Sequence, residues 1–484
     1  MSHHRATALL RRSTLTAALI VSPVAWAATL VSGPSPFAGC TVGGGAGSTN
    51  YVNAEVEPYV AVNPANPTNY IGVWQQDRWS DGGAHGLMSA ASFDGGATWA
   101  PVPQPFSTCA GANALGYERA SDPWVSFGPD GTAYSVSISF DHSRNNNAVG
   151  AAVSRDGGKS WTNLTTLIAD NEPSVQFFND KESVTADPVK RGVAYAVWDR
   201  LELPNDNPYA NQHALAFRGP AYLSKTVDGG QTWSAPSVMV NTPSEHQTIG
   251  NQIVVNSQTG ALYDFFNYIH APGRSAAAST NSVAFVKSTD GGATWSKPQI
   301  IASLQFVPVT DPNTGEALRT GDIIPEPAID PATGQLYVVW QDGRFSGGTH
   351  ADIALSTSTD GGQTWSTPKQ VNTPTGKAAF NAMVQVNSAG TVAVTYYDIR
   401  NLAAGNTTTL PTDYWQITSA NGGQSFGSET HLAGSFDMRT APVARGFFIG
   451  DYAGLAAAGT KFVPFFIQTN SGNTANRTDV FVSP

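Results

Sequence analysis

The stretch that decides the fold is EPAIDPATGQLYVVWQDGRFSGGTHADIALSTSTDGGQTW, Glu326–Trp365. Ala328–Ile329 leads into the turn DPATG. LYVVW follows, then a polar loop, then IALS, then the octapeptide STDGGQTW. Apolar alternation broken by Gly, Pro and Asp predicts three strands before the octapeptide and one after it. The octapeptide recurs as SFDGGATW (Ser92–Trp99), SRDGGKSW (Ser154–Trp161), TVDGGQTW (Thr226–Trp233), STDGGATW (Ser288–Trp295) and SANGGQSF (Ser419–Phe426). Its third positions are Asp94, Asp156, Asp228, Asp290, Asp360 and Asn421, spaced by 62, 72, 62, 70 and 61 residues. So regular a period means one supersecondary unit used repeatedly.

The chemistry of the octapeptide is that of a turn. Asp accepts backbone N–H bonds, Gly supplies positive φ, Ser or Thr caps the turn, and Trp is a hydrophobic plug. The same strand grammar precedes every copy: PYVAVNP then YIGVW, PWVSFGPDG then AYSVS, NQIVVNSQTG then LYDFF. A seventh, partial unit follows the last copy, with three strands between Gly450 and Ser483.

The octapeptide is an Asp-box, or BNR repeat, and the chain resembles the sialidase (neuraminidase) superfamily. The resemblance implies an all-β protein, a single β-propeller of four-stranded antiparallel blades. Seven units favour seven blades over the six usual in sialidases. The last unit lacks a fourth strand, and the arm over residues 29–54 is expected to supply it and close the ring. The propeller proper is expected over residues 55–484.

Strand order sorts residues by face. Box turns and strand 1–2 turns share one face; strand 2–3 loops and inter-blade links share the other. The second face carries the chemistry. Glu57, Asp122, Glu182, Asn251, Glu326, Asn381 and Asp451 stand at starts of first strands. Asp77-Arg78, Asp141 with Arg144, Asp199-Arg200, Asp342 with Arg344 and Asp398 with Arg400 end second strands. These predict an axial pocket of carboxylates and guanidinium groups. The alternative is that each Asp simply pairs with its Arg.

Sialidases hold a sugar carboxylate with arginines, protonate the leaving group with an Asp, and attack with a Tyr activated by a Glu. By that resemblance Asp342 is the acid/base candidate, with Asp77 in a similar context. Glu326 is the candidate to activate a phenol, and Tyr452 the candidate nucleophile. Arg78, Arg200, Arg344 and Arg400 are the candidates for substrate binding, with Glu57, Asp122, Glu182 and Asp451 lining the pocket. The Phe-Arg-Ile-Pro motif of the family is absent, and the best Asp-x-Arg match lies in the fifth unit, not the first. The expected function is a secreted sialidase-like glycoside hydrolase. The alternative is a non-catalytic propeller that binds glycans or surface proteins.

Composition fits. Only 13% of residues are charged, against about 25% in average domains. A net charge of −10 excludes a general nucleic-acid binder, and 41% hydrophobic residues exclude a disordered chain. Residues 1–28 read as a secretory signal peptide: Arg5, Arg11 and Arg12, an apolar run from Leu15, and small residues around Ala25–Ala28. Export permits one disulfide, Cys40–Cys109, which would pin the arm to the first unit. No membrane span is expected after cleavage, no cofactor, and a monomer acting on glycans. His85, His142, His213, His270 and His350 fall in strand 2–3 loops, but blade spacing separates them too far for a metal site. Asp311-Pro-Asn313-Thr-Gly315, with Asp322 beyond, echoes a calcium loop without its usual glycine and glutamate.

Overall fold

A computed structural model describes residue 1 and residues 28–171, 176–203 and 216–483. The proposed signal peptide and His213 lie outside the described residues. The fold is all-β, built from four-stranded antiparallel meanders. The first comprises Asn50–Val62, Tyr70–Trp79, Ala84–Ser92 and Ala100–Gln104. The second comprises Arg119–Phe127, Ala133–Phe140, Asn147–Ser154 and Thr162–Asp170. The third and fourth begin at Phe177–Ala186 and His246–Val255, the fifth and sixth at Glu326–Ile329 and Ala379–Val386. The last holds Gly454–Ala458, Lys461–Thr469 and Thr478–Val482. Against its outer strand lies Thr29–Leu30, antiparallel, with Thr29 opposite Val482. No helix among the described residues is long and apolar enough to cross a membrane.

Each Asp-box is the turn between a third and a fourth strand. In the first, Ser92 Oγ donates to Asp94 Oδ1 at 2.8 Å and accepts from Gly96 N at 2.9 Å. Asp94 also accepts from Thr98 N at 2.9 Å and Thr98 Oγ1 at 2.6 Å. These donors hold Asp94, Asp228, Asp290 and Asp360 down at about 2. Such carboxylates favour the fold above the ordinary carboxylate range and lose that contribution as pH falls toward about 2. Ser92 is buried and serves both partners. Ser92→Ala is therefore expected to cost about 1–2 kcal/mol, read as a lower urea midpoint.

The box aromatic is more than a plug within its own hairpin. Trp365 packs on Phe265 and Phe285 of the fourth meander, with ring centroids 5.8 and 5.6 Å away. Trp233 lies edge-on to Tyr134 of the second, and Trp161 Nε1 donates to Ser89 of the first at 2.8 Å. Trp99 reaches Phe465 of the last meander at 5.6 Å. Box indoles thus tie one meander to an earlier neighbour, and the first to the last. The second box glycine is needed for this approach: at Gly362 (φ 86°) a Cβ would sit 2.7 Å from Phe285.

First strands touch in sequence: first with second, second with third, third with fourth, and on through the sixth and last back to the first. Five of them carry the same irregularity. A register shift occurs at Val56/Tyr59, Ser121/Trp124, Asp180/Ser183, Ile249/Gln252 and Phe380/Met383. At each, one residue turns left-handed: Glu57 (φ 54°), Asp122 (54°), Lys181 (47°), Gly250 (72°) and Asn381 (50°). A bulge re-aims its side chain, so these five positions are structurally equivalent.

Cys40 and Cys109 are bonded, with Cα atoms 5.7 Å apart, as expected from the sequence. Second strands bury Trp74, Trp198 and Trp340, whose indole N–H groups donate to Gln76, Asn179 and Asp342. One buried group breaks this economy. Asp264 is fully buried, and neither carboxylate oxygen has a partner among the described residues. Burial alone pushes its carboxyl well above the ordinary range. The folded state thus holds a proton that the unfolded state releases, and stability falls as pH rises past the ordinary carboxylate value. Asp264→Asn removes that penalty. It is expected to stabilise the protein at neutral pH by about 1–2 kcal/mol, with the gain fading in acid melts.

Candidate functional site

The bulges gather a buried charge cluster at one end of the first strands. Its centre is Lys181. The ammonium lies 2.8 Å from Asp451 Oδ2, 3.3 Å from Asp122 Oδ2 and 3.4 Å from Glu57 Oε1. The four side chains are at most 9% exposed. Arg319 adds a two-pronged contact to Asp451, with Nη2–Oδ2 at 2.7 Å and Nε–Oδ1 at 3.2 Å. Arg319 is delivered by Leu318–Arg319, which pairs in parallel with Phe447–Phe448. Phe448 carries Arg319 on one side at 4.2 Å and Arg78 at 4.8 Å.

Burial works against every charge here, and neighbours decide which survive. Arg319 and Lys181 outweigh burial at Asp451 and hold it far below the ordinary range. Lys181 does the same for Asp122. Burial and the Asp122 charge push Glu57 well above that range, so Glu57 keeps a proton beside ionised Asp122. Lys181 stays charged because its three carboxyl partners outweigh desolvation. Burial, with Asp451 nearby, lifts Asp322 to about 7, and burial lifts Glu326 to about 8. Burial, then Arg319, draws Arg78 down to about 10. Arg445 feels Arg319 first, and its pKa is lowered. Neither Arg78 nor Arg445 makes an ion pair among the described residues; Arg78 donates to Gln75 Oε1 at 2.6 Å.

Four of the residues expected from sequence meet here: Glu57, Asp122, Asp451 and Arg78. Glu182 is adjacent, but the bulge gives the cluster position to Lys181. Glu182 instead accepts from Ile138 N at 2.9 Å. Asn251 donates to Asp199, and Asn381 to Gly450 O at 2.7 Å. Tyr452 lies under the cluster, its ring 5.8 Å from Lys181, but its phenol donates to Pro123 O at 3.3 Å and burial raises its pKa. The pKa of Tyr59, partly exposed and stacked on Trp124 at 3.7 Å, is raised as well, by burial first and then by the Glu326 charge.

The remaining candidates sit in closed local networks. Asp342 takes Arg344 Nε at 2.8 Å, Arg344 N at 2.9 Å, Trp340 Nε1 at 2.6 Å and Gln305 N at 3.2 Å. Arg400 is held by Asp398 and Glu429 over the Trp415 ring, and Arg200 by Asp170 over Phe177. Asp77 fastens the arm, accepting from Ser35 Oγ at 2.6 Å and Asn53 N at 2.9 Å. His85, His142 and His350 pair with Asp77, Asp81 and Asp352, while His270 stacks on His246 at 4.2 Å. Asp311 pairs with Arg439 at 2.5 Å, and the described residues hold no group of three or more His, Cys, Asp or Glu placed to bind a metal.

Residues 221–324, spanning the third and fourth boxes, match the BNR repeat-like domain. No curated protein sequence matches the chain. Among solved structures, the chain is similar to a Hadza microbial sialidase at 14% identity, with 86% of this chain and 76% of that one covered and a TM-score of 0.48. It is similar to an α-L-arabinanase of Penicillium chrysogenum complexed with arabinobiose at 12% identity, with 90% and 98% covered and a TM-score of 0.45. It is also similar to Trypanosoma rangeli sialidase in complex with the inhibitor DANA at 12% identity, with 72% and 53% covered and a TM-score of 0.42. The match identifies the segment that holds the third and fourth octapeptides, Thr226–Trp233 and Ser288–Trp295, as BNR repeat-like.

Proposed function

We propose that the chain is a secreted, glycan-acting hydrolase, sialidase-like in plan, built as one seven-bladed propeller. Thr29–Leu30 is the fourth strand of its last blade, and the charge cluster lies at the axial mouth. The observation that carries this reading is the cluster itself. It sets ionised carboxylates beside carboxyls that keep their protons, with two unpaired guanidinium groups at its edge. Groups pushed apart in this way divide into acids and bases. Asp322, partly exposed and near 7, is the general acid. Tyr59 is the nucleophile, and Glu326 takes its proton. Arg78, Arg319 and Arg445 receive an anionic sugar group.

Turnover of a panel of fluorogenic glycosides, sialosides included, tests the reading. Arg319→Ala and Arg445→Ala are expected to lower kcat/KM by about tenfold or more. Glu326 must be ionised and Asp322 protonated. Because the base lies above the acid, only a minor fraction of the enzyme is active at any pH, and the profile should be a low bell that rises at about 7 and falls at about 8. Glycan binding without turnover of any glycoside would leave the second reading, a non-catalytic glycan-binding propeller. The near-complete pairing of Lys181 and Asp451 is what favours that second reading.

A further inference from the structure

A polar hollow lies beside the second meander, lined by none of the residues of the charge cluster. It is open, about 550 Å³ in volume, and lined by Gly116, Tyr117, Asp141, Arg144, Asn146 and Asn171. These residues come from three segments of the second meander. Gly116 and Tyr117 precede its first strand, Asp141–Asn146 join its second and third, and Asn171 follows its fourth. All three segments lie at the end of the meander that carries Asp122, so the hollow shares a face with the cluster.

Its chemistry differs from that of the cluster. Asp141 accepts from Glu118 N at 3.3 Å and Asn146 Nδ2 at 3.0 Å. A carboxylate has about four lone-pair directions, so two stay open. The Tyr117 phenol donates to Asn171 Oδ1 at 3.2 Å and keeps its own acceptor capacity. The Asn171 amide NH₂ donates to no described residue. Among the described lining residues, Asp141 and Arg144 carry one charge of each sign, so that lining has no net charge. One half-buried aromatic ring supplies the apolar surface.

We propose that this hollow is a subsite for a neutral sugar residue. Its volume falls in the range of about 300–1,000 Å³ usual for small-molecule sites. Ring hydroxyls donate to Asp141 and accept from Asn171, and a sugar face lies on Tyr117. The ligand class rests on the glycan-acting reading, with the subsite holding a chain that extends outward from the axial mouth. Binding at the hollow does not require catalysis at the cluster.

Saturation-transfer NMR with lactose, cellobiose and maltose on the full chain tests this. Saturation of at least one disaccharide is expected, with Tyr117→Ala and Asn146→Ala each weakening its affinity by about tenfold. Arg319→Ala should leave it unchanged. Thermal melts check that each variant folds, and Tyr117→Phe keeps the ring if Tyr117→Ala does not. No transfer from any of the three sugars overturns the proposal. So does transfer that survives Tyr117→Ala and Asn146→Ala but is lost in Arg319→Ala. Disaccharide binding at the hollow without turnover of any glycoside removes the hydrolase reading and leaves the subsite standing.

Discussion

Lys181→Met is expected to destabilise the protein by about 3–5 kcal/mol at neutral pH, the cost of leaving buried charges without their partner. Lys181 is the shared cation of Glu57, Asp122 and Asp451. Arg319 continues to serve Asp451 in the variant, but Asp122 has no other ion pair among the described residues. The sign with pH follows from the directions of shift. Asp122 and Asp451 are lowered in the fold, so in the wild type they stabilise it above the ordinary carboxylate range. Without Lys181, burial raises Asp122 instead, and it penalises the fold wherever the unfolded chain ionises it, while Arg319 still holds Asp451 down. The gap between wild type and variant should be widest at neutral pH and should narrow as pH falls toward about 4. Urea melts at several pH values read this directly. A gap that is flat with pH would show that Lys181 acts through packing alone.

Replacing both cysteines, Cys40→Ser with Cys109→Ser, is expected to cost about 2–4 kcal/mol. The bond closes a loop between residues 69 apart, which restricts the unfolded chain strongly. The folded arm keeps other fastenings. Ser35 and Asn53 hold Asp77, Gly43 O accepts from Arg119 Nε at 2.8 Å, and Phe37 is buried. The native arrangement should therefore survive, with a lower urea midpoint and a steeper slope, because the unfolded chain without the bond is less compact. A midpoint equal to that of the wild type would mean that the unfolded arm is confined without the bond.

The boxes were legible in the sequence because their chemistry is local. Ser, Asp and Gly close their hydrogen bonds within eight residues, so each turn declares itself. The strands before each box were legible from alternation for the same reason. What the indole of each box packs against was not, because Phe265 and Phe465 lie far from the boxes that use them. The members of the charge cluster were half legible. Glu57, Asp122 and Asp451 were found from their place at first strands. Lys181 was missed for its neighbour Glu182, because a bulge shifts the alternation by one residue and turns every later side chain over. Arg319 and Arg445 come from irregular segments where no period exists to be read. The Asp342–Arg344 spacing was visible, but spacing cannot say whether two opposite charges answer each other or a ligand.

The pairing of Thr29–Leu30 with Thr478–Val482 bears on the order of assembly. Ser32 Oγ donates to Asp479 Oδ1 across a separation of 447 residues, at 3.0 Å. Such a contact forms only when both segments are present, and loop closure over that distance slows folding. Meanders made of neighbouring segments are free to form earlier, as the chain emerges. Until Thr29–Leu30 arrives, Thr478–Val482 is an open edge able to recruit a strand from another molecule. The arrival of Thr29–Leu30 is thus the step that covers this edge.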